Sequence, residues 1–208
     1  MSRLTWHFDF VSPFSYLQIA GNPDLFQRPD VVFAPVLFAG LLRHFDNKGP
    51  AEIRPKRVHT YRYTQWQAGQ LGVPMRYPAG HPFNSLTALR YAVALGATHD
   101  VVRRIFDFIW SQGRSPDDEK QALAAALGRP DVEGHAATED VKARLRANTE
   151  DAARLGVFGV PTFVVDGQLF WGLDATGMLR DYLANPSLFV SPAMARLESL
   201  PFTSVRKS

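Results

Sequence analysis

Leu4-Thr5-Trp6-His7-Phe8-Asp9-Phe10-Val11-Ser12-Pro13 is the stretch from which the architecture of this chain can be read. Leu4 to Phe10 alternate in character and are rich in aromatics, the pattern of a strand with one face in a core. Ser12-Pro13 ends it. Proline suits the first turn of a helix, because the N–H it lacks would be unpaired there. Ser12 is then the N-cap. Phe14, Tyr16, Leu17 and Ala20 supply apolar positions for a helix that fades at Gly21-Asn22-Pro23. A second strand reads as Val31 to Phe38. Strand, helix and strand in this order build a parallel βαβ unit.

The other end of the chain answers it. Val160-Pro161-Thr162-Phe163-Val164-Val165 runs into Asp166-Gly167 and then Gln168-Leu169-Phe170-Trp171. An Asp-Gly pair between two such runs signals a hairpin. A last helix, about Ala175 to Leu183, follows Asp174 as its cap. Between the two ends, from about Pro50 to Leu155, the reading is mostly helical. Asn84 caps a helix through Leu86, Leu89, Arg90 and Val93, stopped by Gly96. Val101 to Trp110 places Val102, Ile105, Phe106 and Ile109 on one face. Ser115-Pro116-Asp117-Asp118 resembles a capping box opening a helix that ends at Gly128. Thr138 opens another, ending at Gly156. The βαβ and ββα pieces together give the thioredoxin-like order, α/β in class. The expected organisation is a thioredoxin-like domain from 1–48 and 156–190, a large all-helical insertion over 49–155 and a C-terminal tail over 191–208.

Composition narrows the function. The 208 residues suit one domain with an insertion. Lys plus Arg number 23 and Asp plus Glu 20, a net charge of +3, so there is no basic excess to hold nucleic acid. Cysteine is absent. That excludes disulfides, thiolate metal sites and any cysteine nucleophile, so thiol chemistry here must use a thiol carried by a ligand. No apolar run reaches about 18 residues, and Met1 to Asp9 lack a signal pattern, so the expectation is a soluble cytoplasmic protein with no membrane partner. The six histidines show no metal spacing, and no HExxH, GxSxG or P-loop is present. Trp66, Trp110 and Trp171 read as core.

Three positions can carry chemistry. Ser12 lies where a strand becomes a helix, beside free N–H groups and the positive end of the helix dipole; it can cap the helix or stabilise an anion brought to it. Pro161 opens a strand and can be trans or cis. If cis, it turns the Val160 backbone toward an extended peptide ligand. Asp174 can cap the last helix or hold an ammonium group. Asn47-Lys48-Gly49-Pro50 reads as a turn.

Asp9-Phe10-Val11-Ser12-Pro13-Phe14-Ser15-Tyr16-Leu17 resembles the N-terminal signature of the 2-hydroxychromene-2-carboxylate isomerases. These are relatives of the kappa-class glutathione transferases in the DsbA-like branch of the thioredoxin fold, and they have serine where the oxidoreductases have their first catalytic cysteine. Val157-Phe158-Gly159-Val160-Pro161-Thr162-Phe163 resembles the family's cis-proline loop, and Phe170-Trp171-Gly172-Leu173-Asp174 its W-G-x-D motif. Asn47-x-Gly49-Pro50 falls where the family has a similar turn. His81-Pro82-Phe83-Asn84-Ser85-Leu86 resembles a broader bacterial subgroup.

The resemblance implies a DsbA-like fold and glutathione as the cofactor. By carry-over Ser12 activates the glutathione sulfur and is the catalytic residue. The Val160 backbone, beside cis Pro161, pairs with the cysteinyl part. Leu173 and Asp174 hold the γ-glutamyl end, the carboxylate facing its ammonium, and Asn47 contacts the tripeptide or the substrate. The implied reaction adds the glutathione thiolate reversibly to an unsaturated ketoacid or its cyclic hemiketal, giving ring opening with cis–trans isomerisation. Such isomerases act in aromatic catabolism, and resemblance to the transferases implies a homodimer. The competing readings are a kappa-like transferase that forms conjugates with an electrophile, and a non-catalytic DsbA-like module that binds peptides.

Overall fold

The computed structural model describes residues 3–201. Of the tail expected over 191–208, residues 202–208 lie outside the described residues, as do residues 1–2 of the first unit. Four strands form one mixed sheet: β1 (Leu4–Phe8), β2 (Val31–Pro35), β3 (Thr162–Val165) and β4 (Gln168–Trp171), in the order β2-β1-β3-β4. β1 pairs in parallel with β2, Trp6 opposite Phe33. It pairs antiparallel with β3, Trp6 opposite Phe163, and β3 closes the hairpin on β4. Helix α1 (Pro13–Gly21) and the short α2 (Pro23–Phe26) cross from β1 to β2. Then come α3 (Phe38–His44), α4 (Arg54–Leu71), α5 (Leu86–Ala94), α6 (His99–Phe106), α7 (Lys120–Ala126), α8 (Val132–Ala136) and α9 (Glu139–Arg154). The chain ends through α10 (Thr176–Ala184) and α11 (Pro192–Ala195). Among the described residues no strand lies between Pro35 and Thr162, and no helix is long and apolar enough to cross a membrane.

Alternation in β1 sends every second side chain to one face of the sheet. Leu4, Trp6 and Phe8 enter the larger of two cores, with Phe10, Phe26, Phe106 and Phe163. The Trp6 indole stacks on Phe8 at 4.4 Å and meets Phe26 edge-on at 4.6 Å. The same core takes Leu89, Ile105, Trp110, Leu123 and Val141, so the helices between β2 and β3 share it with the sheet. The opposite face presents Val160 and Val164 to a smaller core of Val36, Leu41, Ala152 and Val157. Helix α9, although it lies within 49–155, supplies this second layer. Its Asn148 Nδ2 donates to the Pro35 carbonyl at 3.1 Å, and its Thr149 Oγ1 accepts from Leu37 N at 3.0 Å.

Several boundaries differ from the sequence reading. The second strand stops at Pro35 instead of Phe38. Phe38 opens α3, because its N–H finds the Asp9 carboxylate at 2.9 Å and the helix needs no cap of its own. The helix expected to run to Trp110 changes pitch after Phe106 into a π-helical turn over Asp107–Ser111. At Ser115 the box is real but shifted: Ser115 Oγ accepts from Asp118 N at 3.3 Å, while Glu119 reaches back to Ser115 N at 3.2 Å, and the helix starts at Lys120. Asp174 is not the cap of α10. Ala175 holds that position, and Thr176 Oγ1 donates to the Leu173 carbonyl instead.

Candidate active site

Ser12 caps α1 as its sequence predicts. Its backbone is extended (φ −88°, ψ 115°), and its Oγ accepts from Ser15 N at 3.2 Å. The Oγ proton points at the Val160 carbonyl, 3.4 Å away, a long bond for a hydroxyl. Pro13 brings no N–H to this turn, and the Phe14 N–H has no partner among the described residues. No acidic side chain stands in the first turn of α1. The cap therefore retains unused donor capacity and the positive end of a helix dipole. Ser12 is 6% exposed, so its hydroxyl meets little competing water.

The loop that presents Ser12 is held on all sides. Ser12 N donates to the Asp9 carbonyl at 3.1 Å. The buried Asp9 carboxylate accepts Val11 N at 3.0 Å and Phe38 N at 2.9 Å, one on each oxygen. Burial pushes the Asp9 carboxyl up, and the N–H groups of Phe38 and Val11 pull it back down. The Phe10 carbonyl receives the Trp110 indole N–H at 2.8 Å, and the Val11 carbonyl lies 2.8 Å from His81 Nε2. Sequence reasoning missed Trp110 and His81 here. The only signal for His81 was its place in a His-Pro-Phe-Asn run.

Pro161 follows a cis peptide bond, as does Pro82, which the sequence reading did not anticipate. The Val160 N–H has no hydrogen-bond partner among the described residues. Gly172 N donates to the Pro161 carbonyl at 2.8 Å and so brings the Gly172-Leu173-Asp174 turn beside it. Gly172 has φ +91°, and a Cβ there would collide with the Asp174 carboxylate, so glycine is required. Buried Gln18 on α1 fixes the turn from below, donating to the Gly172 carbonyl at 3.1 Å and to Thr176 Oγ1 at 3.0 Å. Gln18 is another residue the sequence reading passed over. Five of the six expected residues are thus tied together: Ser12 to Val160 directly, and Pro161 to the 172–174 turn. Asp174 is exposed. Asn47 stands apart. It is exposed beyond α3, its Oδ1 turned onto Lys48 N at 2.8 Å, and it shares no hydrogen bond with the other five among the described residues.

The model of the DsbA-like thioredoxin domain matches residues 3–184. The chain belongs to that family. Within it, the chain falls with the 2-hydroxychromene-2-carboxylate isomerases and the kappa-class glutathione transferases. The 2-hydroxychromene-2-carboxylate isomerase of Sphingobium xenophagum is 30% identical over 191 residues, covering 86% of this chain and 97% of that one. Glutathione S-transferase kappa 2 of Caenorhabditis elegans is 29% identical over 205 residues, covering 86% and 90%. A solved 2-hydroxychromene-2-carboxylate isomerase superposes with a TM-score of 0.78 at 22% identity, over 94% of this chain and 97% of that one. In this DsbA-like frame the tryptophans divide. Trp110 is buried as expected, but Trp66 and Trp171 are 56% and 53% exposed. Trp171 meets Phe158 edge-on at 4.9 Å, and its Nε1 stands 2.5 Å from where a Gly159 Cβ would lie. An exposed aromatic pair therefore flanks Gly159, which precedes the Val160–Pro161 step.

Proposed function

We propose that the protein is a glutathione-dependent isomerase of the 2-hydroxychromene-2-carboxylate isomerase type, with Ser12 as its catalytic residue. The observation that carries this reading is the Ser12 hydroxyl. Its Oγ donates only a long, 3.4 Å bond to a carbonyl, at the N-terminus of a helix whose first turn carries no acidic side chain. A thiolate is a stronger acceptor than that carbonyl and would take the bond. The chemistry glutathione supplies is a thiolate that adds reversibly to the conjugated carbon of an unsaturated ketoacid, so that a double bond becomes a rotatable single bond before the thiolate leaves.

The residues of this chain hold and orient. The unpaired Val160 N–H and the adjoining carbonyl offer one strand-like pairing edge to the cysteinyl unit. The Asp174 carboxylate provides a counter-charge for the γ-glutamyl ammonium, on a turn that Gln18 and Pro161 keep rigid. Ser12 donates to the sulfur and favours its charged form over the thiol. The nearby Phe14 N–H adds a second donor. Asn47 joins only if its loop turns toward the ligand.

The test is the absorbance of bound glutathione thiolate against pH, for wild type and Ser12→Ala, alongside turnover of 2-hydroxychromene-2-carboxylate. Losing one hydrogen bond to a charged group costs about 1.5–3 kcal/mol, so turnover should fall roughly 10- to 150-fold and the sulfur pKa should rise. A helix cap alone predicts coincident titrations and about 1 kcal/mol of lost stability. That result would remove Ser12 from catalysis. The kappa-class relatives support a second reading, conjugation of an electrophile. Glutathione is returned in isomerisation and consumed in conjugation, so its concentration through the reaction separates the two.

A further inference from the structure

His81 is one of two points, with Trp110, at which the helical stretch grips the Ser12 loop. It follows α4 and precedes α5, and its ring sits among Tyr61, Tyr77, Phe83 and Trp110, with centroids 5.2, 5.7, 6.0 and 5.5 Å away. Nε2 stands 2.8 Å from the Val11 carbonyl oxygen. A carbonyl only accepts, so Nε2 carries a proton. Nδ1 stands 2.8 Å from Tyr61 Oη. Burial pushes the ring's pKa down, so near neutral pH the ring holds a single proton, the one on Nε2. The Tyr61 hydroxyl donates to the His81 carbonyl at 2.7 Å, so its one proton lies between that oxygen and Nδ1 and ties Tyr61 to both the backbone and the ring of His81.

The bond to Val11 has a geometric consequence. The Val11 carbonyl and the Ser12 N–H belong to one planar peptide unit. Holding that carbonyl at one end and the Ser12 N–H on Asp9 O at the other fixes the plane. The plane in turn sets the direction of the Ser12 Cα–Cβ bond, and with it where Oγ can reach. The preceding carbonyl, that of Phe10, is held the same way by Trp110. Two consecutive peptide planes ahead of Ser12 are therefore set by side chains from outside the strand–helix unit that carries it.

We propose that His81 is a positioning residue for the Ser12 hydroxyl, its Nε2–H aimed at the Val11 carbonyl and its ring held in place by Tyr61. The proposal rests on the reading of Ser12 as the group that stabilises the glutathione thiolate. It assigns the His-Pro-Phe-Asn run, which shares no hydrogen bond with the Ser12 side chain among the described residues, a share in the chemistry.

The test uses the full chain saturated with glutathione and follows thiolate absorbance against pH for wild type, Ser12→Ala, His81→Leu, His81→Gln and Tyr61→Phe. Ser12→Ala should raise the sulfur pKa by about 1–2 units, the equivalent of one hydrogen bond to a charge. His81→Leu should move it in the same direction by about 0.5–1 unit, since the hydroxyl remains but is misaimed. His81→Gln can present an N–H to the Val11 carbonyl and should return the titration to near the wild-type curve. A purely structural role would lower thermal stability in His81→Leu and leave the sulfur titration in place. Should His81→Leu fail to fold, Tyr61→Phe carries the test with an upward shift of a few tenths of a unit. If Ser12→Ala shifts the curve and His81→Leu does not, the proposal alone falls. It falls too if His81→Gln behaves as His81→Leu, or if Tyr61→Phe, standing in, matches wild type. If Ser12→Ala leaves the curve unmoved, the reading of Ser12 has failed and takes the proposal with it.

Discussion

His7 in β1 is buried, 3% exposed, and its Nδ1 has no hydrogen-bond partner among the described residues. Burial lowers its pKa to about 4, opposed by a backbone bond at Thr162. The unfolded chain takes up a proton near pH 6.5, whereas the folded chain resists until about pH 4. The neutral ring thus contributes stability that is complete above about pH 6.5 and is lost as the pH falls toward 4. The loss amounts to about 2–4 kcal/mol across that window. Urea unfolding at pH 7 and pH 4.5 should show it, and His7→Gln should lose less stability than wild type between the two. Equal losses in both proteins would mean that His7 does not govern the acid limb. Gly159 makes a second point at this scale. With the Trp171 indole where its Cβ would be, it exchanges side-chain bulk for an aromatic wall next to Val160.

Helix α1 is both a site element and a strut. Its Gln18 accepts from the Trp6 indole at 2.7 Å and donates to Gly172 and Thr176, joining β1, the 172–174 turn and α10. Gln18→Leu should cost about 1–3 kcal/mol, because it strands a buried indole N–H. It should also weaken glutathione binding. Val141→Ala, a core truncation of comparable cost on α9, should leave that binding intact, and equal affinities in the two variants would count against the strut. Much of this scale was legible in the sequence. β1, α1 and the Asp166-Gly167 hairpin follow from alternation, a Ser-Pro start and a turn pair, all local signals. Ser12, Val160 and Pro161 were reachable through their motifs. Helix α3 was not, because Val36-Leu37-Phe38 is as apolar for a strand as for a helix. What decides it is Asp9, distant in sequence. Helix α4 buries only Thr64 and Ala68 among its buried positions, so it has hardly any apolar stripe to read. His81, Trp110 and Gln18 act on backbone carbonyls or indole N–H groups, and no spacing rule says which one a side chain will meet.

Across the whole molecule, one apolar core runs from Leu4 and Trp6 through Ile105 and Trp110 to Val141. A helical block with its own core could melt by itself; this one shares its interior with the sheet. Unfolding followed by far-ultraviolet circular dichroism and by near-ultraviolet signals should therefore coincide in a single transition. Two separated midpoints would show that the helical stretch is an independent unit. The tryptophans report on the same arrangement. Trp6 and Trp110 are sealed in that core, while Trp66 and Trp171 stand half in solvent. As far as acrylamide is concerned, the chain accordingly carries two shielded and two quenchable fluorophores. Of the accessible pair, Trp171 stands over Gly159 next to Val160, and Trp66 lies on α4. A tripeptide seated along Val160 would shade Trp171 from that quencher. Quenching of the native indole would then gauge occupancy without any label.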